Sequence, residues 1–363
     1  MKKIAIISEV CYAHIDCELI PLLSNFYRIS WFPFFYKSNT NSTVSKFVNI
    51  SETLSLEKFS FIQLSSRMRS FTTKKEFECF IFNIKKENPD VLYINSDGFP
   101  WLPIIIRKYF HDIPVIGAIH DVVSHSGSSL ITKIYKPLLP LFYRYLNTYS
   151  EFCYLQLNKK KYRGKKIFCA HHPYTDFGKI TKKEHEKFTI LFFGNLLEYK
   201  GLPLLLRVGE LIHNYNSNIC IKIVGRGVDE YLLDPYRNHP AFRIINRRVE
   251  DYEIPEVFSD VDCLALPYSD ASQSGPMMIA LNYAIPVLAT DIPAFKEYGQ
   301  KFSLITLLQN DVDIWVEYIS ALCNSFPNSF NENDILQYKT EIEKEKTIIQ
   351  EEWKSLFFHV GGE

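Results

Sequence analysis

A lysine and several small residues follow an apolar run in the second half of the chain, in LFFGNLLEYKG (Leu191 to Gly201). Gly194 and Asn195 come at the end of the run, and Lys200 directly precedes an apolar helical segment. A lysine beside the free N–H groups of a helix N-terminus is suited to bind a diphosphate. A solvated lysine near a helix cap is the structural alternative for this motif taken singly.

Two further turns have residues that let a ligand approach the backbone closely. Gly225 and Gly227 in IVGRGV follow an apolar run, and they either admit a nucleotide base or ribose or form an ordinary tight turn. Gln273, Ser274 and Gly275 precede a proline that is typical of a first helical position. This loop presents N–H groups and a positive dipole end to an anion, unless Ser274 merely caps the helix.

One histidine in the first half also follows an apolar run, in VIGAIHDVVSHSG. His120 and Asp121 end the run, and His125 lies in the Ser/Gly loop that comes next. A histidine there donates a hydrogen bond to a sugar hydroxyl or moves a proton near neutral pH, and a structural histidine is the alternative. The first turn, SEVCYAH, has no glycine, which argues against a dinucleotide fingerprint.

Short apolar runs alternate with helix-compatible segments along the whole chain, which predicts parallel sheets covered by helices. The predicted strands of the first half are Lys3–Ser8, Ile29–Phe35, Val91–Asn95, Val115–His120, Glu151–Leu155 and Lys166–Ala170. Those of the second half are Thr189–Gly194, Ile219–Gly225, Phe242–Asn246, Cys263–Pro267, Pro286–Thr290 and Ser303–Thr306. The fold class is therefore α/β with two doubly wound sheets, and the motifs above fall at strand ends, where such sheets bind ligands.

A polar, patternless stretch near residues 173–187 separates the two halves. It predicts one domain over residues 1–180, a second over 187–332, and a helical segment over 333–363 that packs back on the domains. Asn39–Ser70 is rich in Ser, Thr and Asn, and it is predicted to be a long insertion or a mobile loop.

The 363 residues carry no formal net charge, yet the charges are unevenly distributed. Residues 1–183 have 26 basic and 14 acidic side chains, or +12, and the rest of the chain has −12. The overall balance argues against a nucleic-acid partner. The scattered cysteines, the incomplete signal peptide and the absence of a 20-residue apolar run predict a cytoplasmic protein.

A second reading concerns Leu130–Leu146, which mixes apolar side chains with lysine and arginine. This composition fits peripheral contact with the anionic lipid headgroups of a membrane surface or with a lipid-diphosphate acceptor, and the structural alternative is a buried helix pair with solvated lysines.

The order of the motifs resembles the GT-B retaining glycosyltransferases of the large family-four group (group 1 type). The resemblance extends from about Phe188 to Tyr298 and rests on G-x-L-x-x-Y-K-G, V-G-x-G, L-P-Y and S-Q-S-G…P-V-x-A-T-D, with A-I-H-D before them. It implies two Rossmann-like domains facing a cleft, with a nucleotide sugar bound by the second domain and an acceptor by the first. It also implies action on bacterial polysaccharides or glycolipids.

The resemblance also implies roles for individual residues. Lys200 matches the lysine that neutralises the donor diphosphate, and Gly225 to Gly227 lie near the nucleotide. His120 matches a histidine that contacts the transferred sugar, and Glu297 matches a glutamate that reaches the ribose.

The sequence departs from the usual family pattern at three positions. Asn195 stands where relatives carry an arginine, and Ala271 and Ile279 stand at the places of two glutamates. Gln273-Ser274-Gly275 instead fits a Q-S-G subset of the family.

The expected activity is hexosyl transfer with retention, without a metal ion or other cofactor, from a nucleotide sugar for which UDP is the favoured base. The expected acceptor is a saccharide or a polyprenyl-diphosphate-linked saccharide. Two alternatives remain open: a nucleotide-sugar epimerase of the same fold, and a non-catalytic binding or scaffold protein.

Overall fold

The structure, a computed structural model, describes residues 1–96, 99–122, 136–159, 162, 164–227 and 230–362. The chain forms two compact units: unit 1 comprises Met1–Pro173 and Thr347–Glu363, and unit 2 comprises Tyr174–Lys346. Each unit is built around a parallel sheet whose strands are joined through helices. The predicted pair of doubly wound α/β domains is confirmed.

The described part of unit 1 contains an eight-stranded sheet in the order β3-β2-β1-β5-β6-β7-β8, with β4 also paired to β2. The strands are β1 (Lys3–Glu9), β2 (Arg28–Phe35), β3 (Lys58–Phe59), β4 (Ile62–Gln63), β5 (Val91–Asn95), β6 (Val115–Ile119), β7 (Tyr145–Thr148) and β8 (Lys166–Cys169). The chain leaves β1 on one side and returns to its other side at β5, so the strand order reverses between β1 and β5. Ligands bind at such a switch point.

The helices in the described part of unit 1 are α1 (Ala13–Leu23), α2 (Asn41–Thr53), α3 (Phe71–Lys86), α4 (Leu102–Tyr109) and α5 (Glu151–Lys159). In α3 the buried Phe77, Phe80, Ile81 and Ile84 recur at helical spacing and pack against the sheet. Burial of each such side chain contributes about 1.5–3 kcal/mol. The Ser70 side chain caps the helix by accepting from Thr73 N at 3.0 Å.

The predicted strand Glu151–Leu155 is wrong, because this segment forms α5 and the strand is β7, Tyr145–Thr148. Cys153 and Leu157 are buried whereas Leu155 between them is 47% exposed, so burial does not recur at every second residue as it would along a strand. The hydroxyl of Ser150 accepts from Cys153 N at 3.3 Å at the start of the helix.

The mobile-loop alternative for Asn39–Ser70 is also wrong, since the segment contains α2, β3 and β4. Thr40 caps α2, and Phe47 of this helix packs on Trp31 with ring centroids 6.1 Å apart. The sequence did not indicate α2 because the segment is mostly polar, and only Val44 and Phe47 along the helix are buried.

The described residues of unit 2 form a six-stranded parallel sheet in the order β11-β10-β9-β12-β13-β14. The strands are β9 (Phe188–Asn195), β10 (Ile219–Arg226), β11 (Phe242–Asn246), β12 (Cys263–Leu266), β13 (Val287–Thr290) and β14 (Ile305–Leu308). The helices are α6 (Leu202–His213), α7 (Glu230–Leu233), α8 (Ile254–Val257), α9 (Gly275–Asn282), α10 (Lys296–Lys301), α11 (Val312–Ser325) and α12 (Glu332–Val360). The strand order reverses between β9 and β12, which is the switch point of this sheet.

The units divide after Pro173, whereas the sequence placed the end of the first domain at residue 180. The segment beyond Pro173 is held by unit 2, since Lys183 N donates to Ser259 O at 2.9 Å and Lys182 Nζ donates to Val261 O at 2.8 Å. The C-terminal segment is one helix, α12, which belongs to unit 2 up to Lys346 and to unit 1 beyond it.

Among the described residues, no helix combines the length and the apolar character that a membrane-spanning segment needs.

Candidate functional site

The switch point of unit 2 brings together the turn after β9 and the loop after β12. Ser269 N donates to Tyr199 O at 2.8 Å, which ties the loop to the turn. Gly201 adopts a φ of 72°, and a Cβ built on it would lie 1.9 Å from Pro267 O. Only glycine fits this contact, because both the left-handed backbone and the nearby carbonyl exclude a side chain.

Lys200 lies at the centre of this group of residues and is 8% exposed. A Cβ built on Gly194 would be 3.2 Å from Lys200 Nζ and 3.5 Å from Cγ of Pro276, in the first turn of α9. Lys200 Nζ also lies 5.1 Å from the ring centroid of Tyr268. The ammonium group of Lys200 is therefore surrounded by the turn after β9, the ring of Tyr268 and the first turn of α9.

This buried ammonium group has no carboxylate partner and no hydrogen-bond acceptor for its Nζ among the described residues. Burial lowers the pKa of Lys200, because the charged form loses hydration that the protein does not replace. The ring of Tyr268 beside it is buried as well. A buried cation of this kind is satisfied best by an anionic ligand.

The N-terminus of α9 completes the surroundings of Lys200. Ser274 is the N-cap, and its hydroxyl accepts from Met277 N at 3.3 Å. Gln273 is half-buried, and a Cβ built on Gly275 would meet no atom within 4 Å. The first turn of α9 thus presents open space beside its backbone N–H groups and its positive dipole end.

The glycine turn after β10 lies beside the turn after β9. Gly225 pairs in register with Gly194, and a Cβ on Gly225 would be 1.7 Å from Gly194 O. Leu196 N donates to Arg226 O at 2.7 Å, and a Cβ on Gly227 would approach Leu196 N to 3.7 Å. Gly225 is therefore needed for the packing of the two strand ends.

An exposed pair of polar side chains, Asn195 and Arg226, ends the strands β9 and β10. The two residues are register partners on neighbouring strands. Arg226 has no carboxylate partner among the residues that the structure describes. The guanidinium group of Arg226 thus belongs to β10, beside Asn195 of β9, which is the position where the family resemblance implies an arginine.

Glu297 is 6% exposed and lies in the first turn of α10. Phe295, two residues before Glu297, contacts the tyrosine that lies beside Lys200, since the ring centroids of Phe295 and Tyr268 are 5.6 Å apart. The sequence-predicted residues of the second half are thus gathered at one edge of the unit 2 sheet.

His120 belongs to unit 1 and follows β6. It is 5% exposed, and its ring is stacked between Tyr12 (centroids 3.6 Å apart) and Tyr149 (centroids 4.6 Å apart). Its Nε2 lies 2.7 Å from Asn95 Oδ1. His125 lies outside the described residues.

Sequence reasoning missed several residues that contact the predicted ones. Tyr268 and Pro276 enclose Lys200, and Tyr12, Asn95 and Tyr149 surround His120. Asn95 ends β5 and Tyr268 lies two residues beyond the end of β12, each next to a switch point, and this position is a signal that the sequence offered. Stacking between residues far apart in the chain has no sequence signal.

The segment Leu130–Leu146 lies partly outside the described residues. Its described part includes a 3-10 stretch, Lys136–Phe142, in which Leu138, Leu141 and Phe142 are exposed by 45%, 55% and 44%. These side chains form a small exposed apolar patch on unit 1.

No group of three or more His, Cys, Asp or Glu side chains within the described ranges is placed to hold a metal ion.

A buried carboxylate in unit 1 gives a testable pH dependence. Burial raises the pKa of Asp16 to about 7, from an ordinary value near 3.8. The folded protein therefore retains a proton that the unfolded chain loses, and stability falls as pH rises from about 4 to 7, by up to about 1.4 kcal/mol per pH unit. Asp16→Asn should remove this part of the slope. Urea unfolding of both proteins at several pH values measures it, and parallel stability curves would contradict the assignment.

Residues 187–325 match the family model described as glycosyl transferases group 1. This range includes Lys200, Gln273 and Glu297 and ends before α12. No curated protein matches the sequence.

Several solved structures share the fold along the whole chain. Anabaena HepE in complex with UDP and glucose has a TM-score of 0.66 at 11% identity, with 100% of this chain and 99% of that chain covered. The lipopolysaccharide outer core galactosyltransferase WaaB has a TM-score of 0.65 at 14% identity, with 98% and 99% covered. UDP-GlcNAc 2-epimerase from Neisseria meningitidis, bound to UDP-GlcNAc, has a TM-score of 0.62 at 11% identity, with 98% and 100% covered. At these identities the likeness establishes the fold, which is GT-B.

Proposed function

We propose that the protein is a glycosyltransferase that moves a hexosyl group from a nucleotide sugar, with UDP as the favoured nucleotide, to a saccharide or lipid-linked saccharide. The observation that carries the proposal is the buried ammonium group of Lys200, which has no counter-charge among the described residues and lies at the start of α9. The group 1 match over residues 187–325 and the UDP bound to Anabaena HepE support a nucleotide-sugar donor.

The diphosphate of the donor would bind where the positive charges converge. Lys200, the N-terminus of α9 and the backbone around Gly275 stabilise the negative charge that grows on the departing diphosphate. Relatives carry an arginine at the position of Asn195, and in this protein Arg226 supplies that second positive charge for the diphosphate.

The remaining predicted residues have roles away from the diphosphate. Gly225 and Gly227 lie near the nucleotide, and Glu297 binds the ribose. Gln273 and Ser274 shape the loop, and His120 contacts the transferred sugar.

Retention requires that the acceptor attack from the face that the diphosphate leaves. The bond between the acceptor oxygen and the anomeric carbon forms as the bond to the phosphate oxygen breaks. The proton of the acceptor hydroxyl passes to the departing phosphate, so the step needs neither a side-chain nucleophile nor a metal ion.

The acceptor side of the proposal concerns bacterial cell-surface polysaccharides, with a polyprenyl-diphosphate-linked saccharide as one acceptor. The apolar patch at Leu138, Leu141 and Phe142, together with the +12 charge of residues 1–183, supports peripheral contact with the inner face of the membrane. Flotation with anionic vesicles at low salt tests this contact, and no co-flotation would remove it from the proposal.

An epimerase is the second candidate, because the Neisseria enzyme bound to UDP-GlcNAc shares the fold. It would turn over the donor alone, without an acceptor. A non-catalytic scaffold is the third candidate, and it is supported by the absence of the usual arginine and glutamates at Asn195, Ala271 and Ile279.

A thermal-shift comparison of UDP, GDP, ADP and CMP tests the donor site. A nucleotide at 100 times its Kd stabilises the protein by about 2.7 kcal/mol, so UDP should raise the melting temperature and CMP should not. No shift with any nucleotide would contradict the proposal.

Turnover assays then separate the candidate functions. UDP-sugar with an acceptor mixture should give transfer, UDP-sugar alone would give an epimer only if the protein is an epimerase, and nucleotide binding without turnover would favour a scaffold. Activity lost in EDTA and restored by magnesium would overturn metal independence.

A further inference from the structure

A chain of hydrogen bonds crosses the switch point of unit 1, between β1 and β5. Trp31 Nε1 donates to Ser8 Oγ at 3.0 Å, and Ser8 Oγ donates in turn to Asp16 Oδ2. An indole N–H is a donor only, so the hydrogen of the Ser8 hydroxyl is directed to the carboxylate. Asp16 is fully buried, and in its ionised form it accepts hydrogen bonds on both of its oxygens.

The side chain of Asn95 continues this chain, and its orientation is fixed by its neighbours. Asn95 Nδ2 lies 2.9 Å from Asp16 Oδ1 and 3.4 Å from Tyr12 O. A backbone carbonyl accepts only, so the amide nitrogen of Asn95 must be on this side. The amide oxygen therefore faces the other way, toward His120 and Tyr149.

On that side Asn95 Oδ1 lies 2.7 Å from His120 Nε2 and 3.1 Å from the hydroxyl of Tyr149. An amide oxygen has no hydrogen to donate, so the short contact requires a hydrogen on Nε2. The stacking of His120 between Tyr12 and Tyr149 holds the imidazole ring in the plane of this contact.

We propose that Asn95 and Asp16 are positioning residues that keep the proton of His120 on Nε2. The partner of one ring nitrogen decides which nitrogen carries the proton, and here that partner is an amide oxygen fixed by Asp16. The inference deepens the proposed function, in which His120 contacts the transferred sugar, and it rests on that function only for its catalytic consequence.

The catalytic consequence is a restriction on proton transfer. Nε2 keeps its hydrogen in the bond to Asn95, so it is not the ring nitrogen that could remove the proton of the acceptor hydroxyl. The lone pair of the neutral imidazole lies on Nδ1, so a hydrogen bond from the transferred sugar would be accepted at Nδ1.

Long-range 1H–15N correlation spectra of the full-length 15N-labelled protein test the protonation directly, without any substrate. His120→Gln identifies the signals of His120, and Nε2 is recognised by its coupling to both ring C–H protons. The expected result is an Nε2 shift in the protonated range at pH 8. An unprotonated Nε2 in the wild-type protein would overturn the proposal, whether or not the variants fold.

Asn95→Ala should move the Nε2 shift toward that of a mixture of tautomers, and should lower kcat about tenfold with the KM for the donor unchanged. Asn83→Ala, on the exposed side of α3, is the matched control and should change neither quantity. An unchanged Nε2 shift in Asn95→Ala would contradict the positioning role. A protonated Nε2 in a protein that lacks nucleotide binding would instead count against the proposed function alone.

Discussion

Lys200→Met is expected to lower kcat/KM for the nucleotide sugar by about 10²–10³-fold while it raises thermal stability. Removal of one group that stabilises a developing oxyanion costs an activity of this size. The same group is a buried cation without a counter-charge among the described residues, and its replacement by an apolar side chain of similar length removes the cost of desolvation. We expect a gain of about 1–2 kcal/mol in the free energy of unfolding. Steady-state kinetics and urea unfolding measure the two changes.

Lys222→Met is the matched control for this prediction. Lys222 is buried to a similar degree, but its Nζ is 2.6 Å from both Val257 O and Asp260 Oδ1. Its removal leaves Val257 O without this donor and leaves Asp260 with Arg243 as its partner, so it should cost about 2 kcal/mol, with nucleotide affinity of the folded protein unchanged. If Lys200→Met loses stability as Lys222→Met does, the ammonium group of Lys200 is structural, and the proposed diphosphate site loses its main support.

Gly201→Ala and Gly275→Ala are expected to have opposite effects, although each adds one methyl group. At Gly201 the new Cβ would enter a φ of 72° and lie 1.9 Å from Pro267 O, so the free energy of unfolding should fall by at least about 3 kcal/mol. At Gly275 the methyl group meets no protein atom, and the gain in helix propensity should raise stability by about 0.5 kcal/mol. The same methyl group occupies the space assigned to the diphosphate and should weaken UDP binding about tenfold.

Gly178→Ala separates backbone strain from steric clash at Gly201. Gly178 has a φ of 103° but no atom within 4 Å of a built Cβ, so its substitution should cost only about 1–2 kcal/mol. Calorimetry of the three variants and titration with UDP measure these effects. Unchanged UDP affinity in Gly275→Ala would place the nucleotide elsewhere in unit 2.

The predictions from the sequence differ most from the structure in segments whose local composition favours one secondary structure while their tertiary contacts stabilise another. Asn39–Ser70 has few apolar residues, yet α2 forms because Phe47 packs on Trp31, which is far from it in sequence. The apolar run after Glu151 suggested a strand, yet it forms α5, in which Cys153 and Leu157 pack into the core while Leu155 between them is exposed. In both cases packing decided an element that local propensity left ambiguous.

The sequence by itself determined the two doubly wound sheets and the strand-end motifs. Apolar strand periods, glycines and a lysine before a helix are local features, and the carboxyl edge of a parallel sheet gathers whatever follows its strands. The tertiary structure alone decided that Lys200 is buried against Tyr268 and Pro276 with no counter-charge among the described residues, and that Asn95 is fixed between Asp16 and His120. These properties depend on desolvation and on distances between residues remote in sequence, which no local pattern encodes.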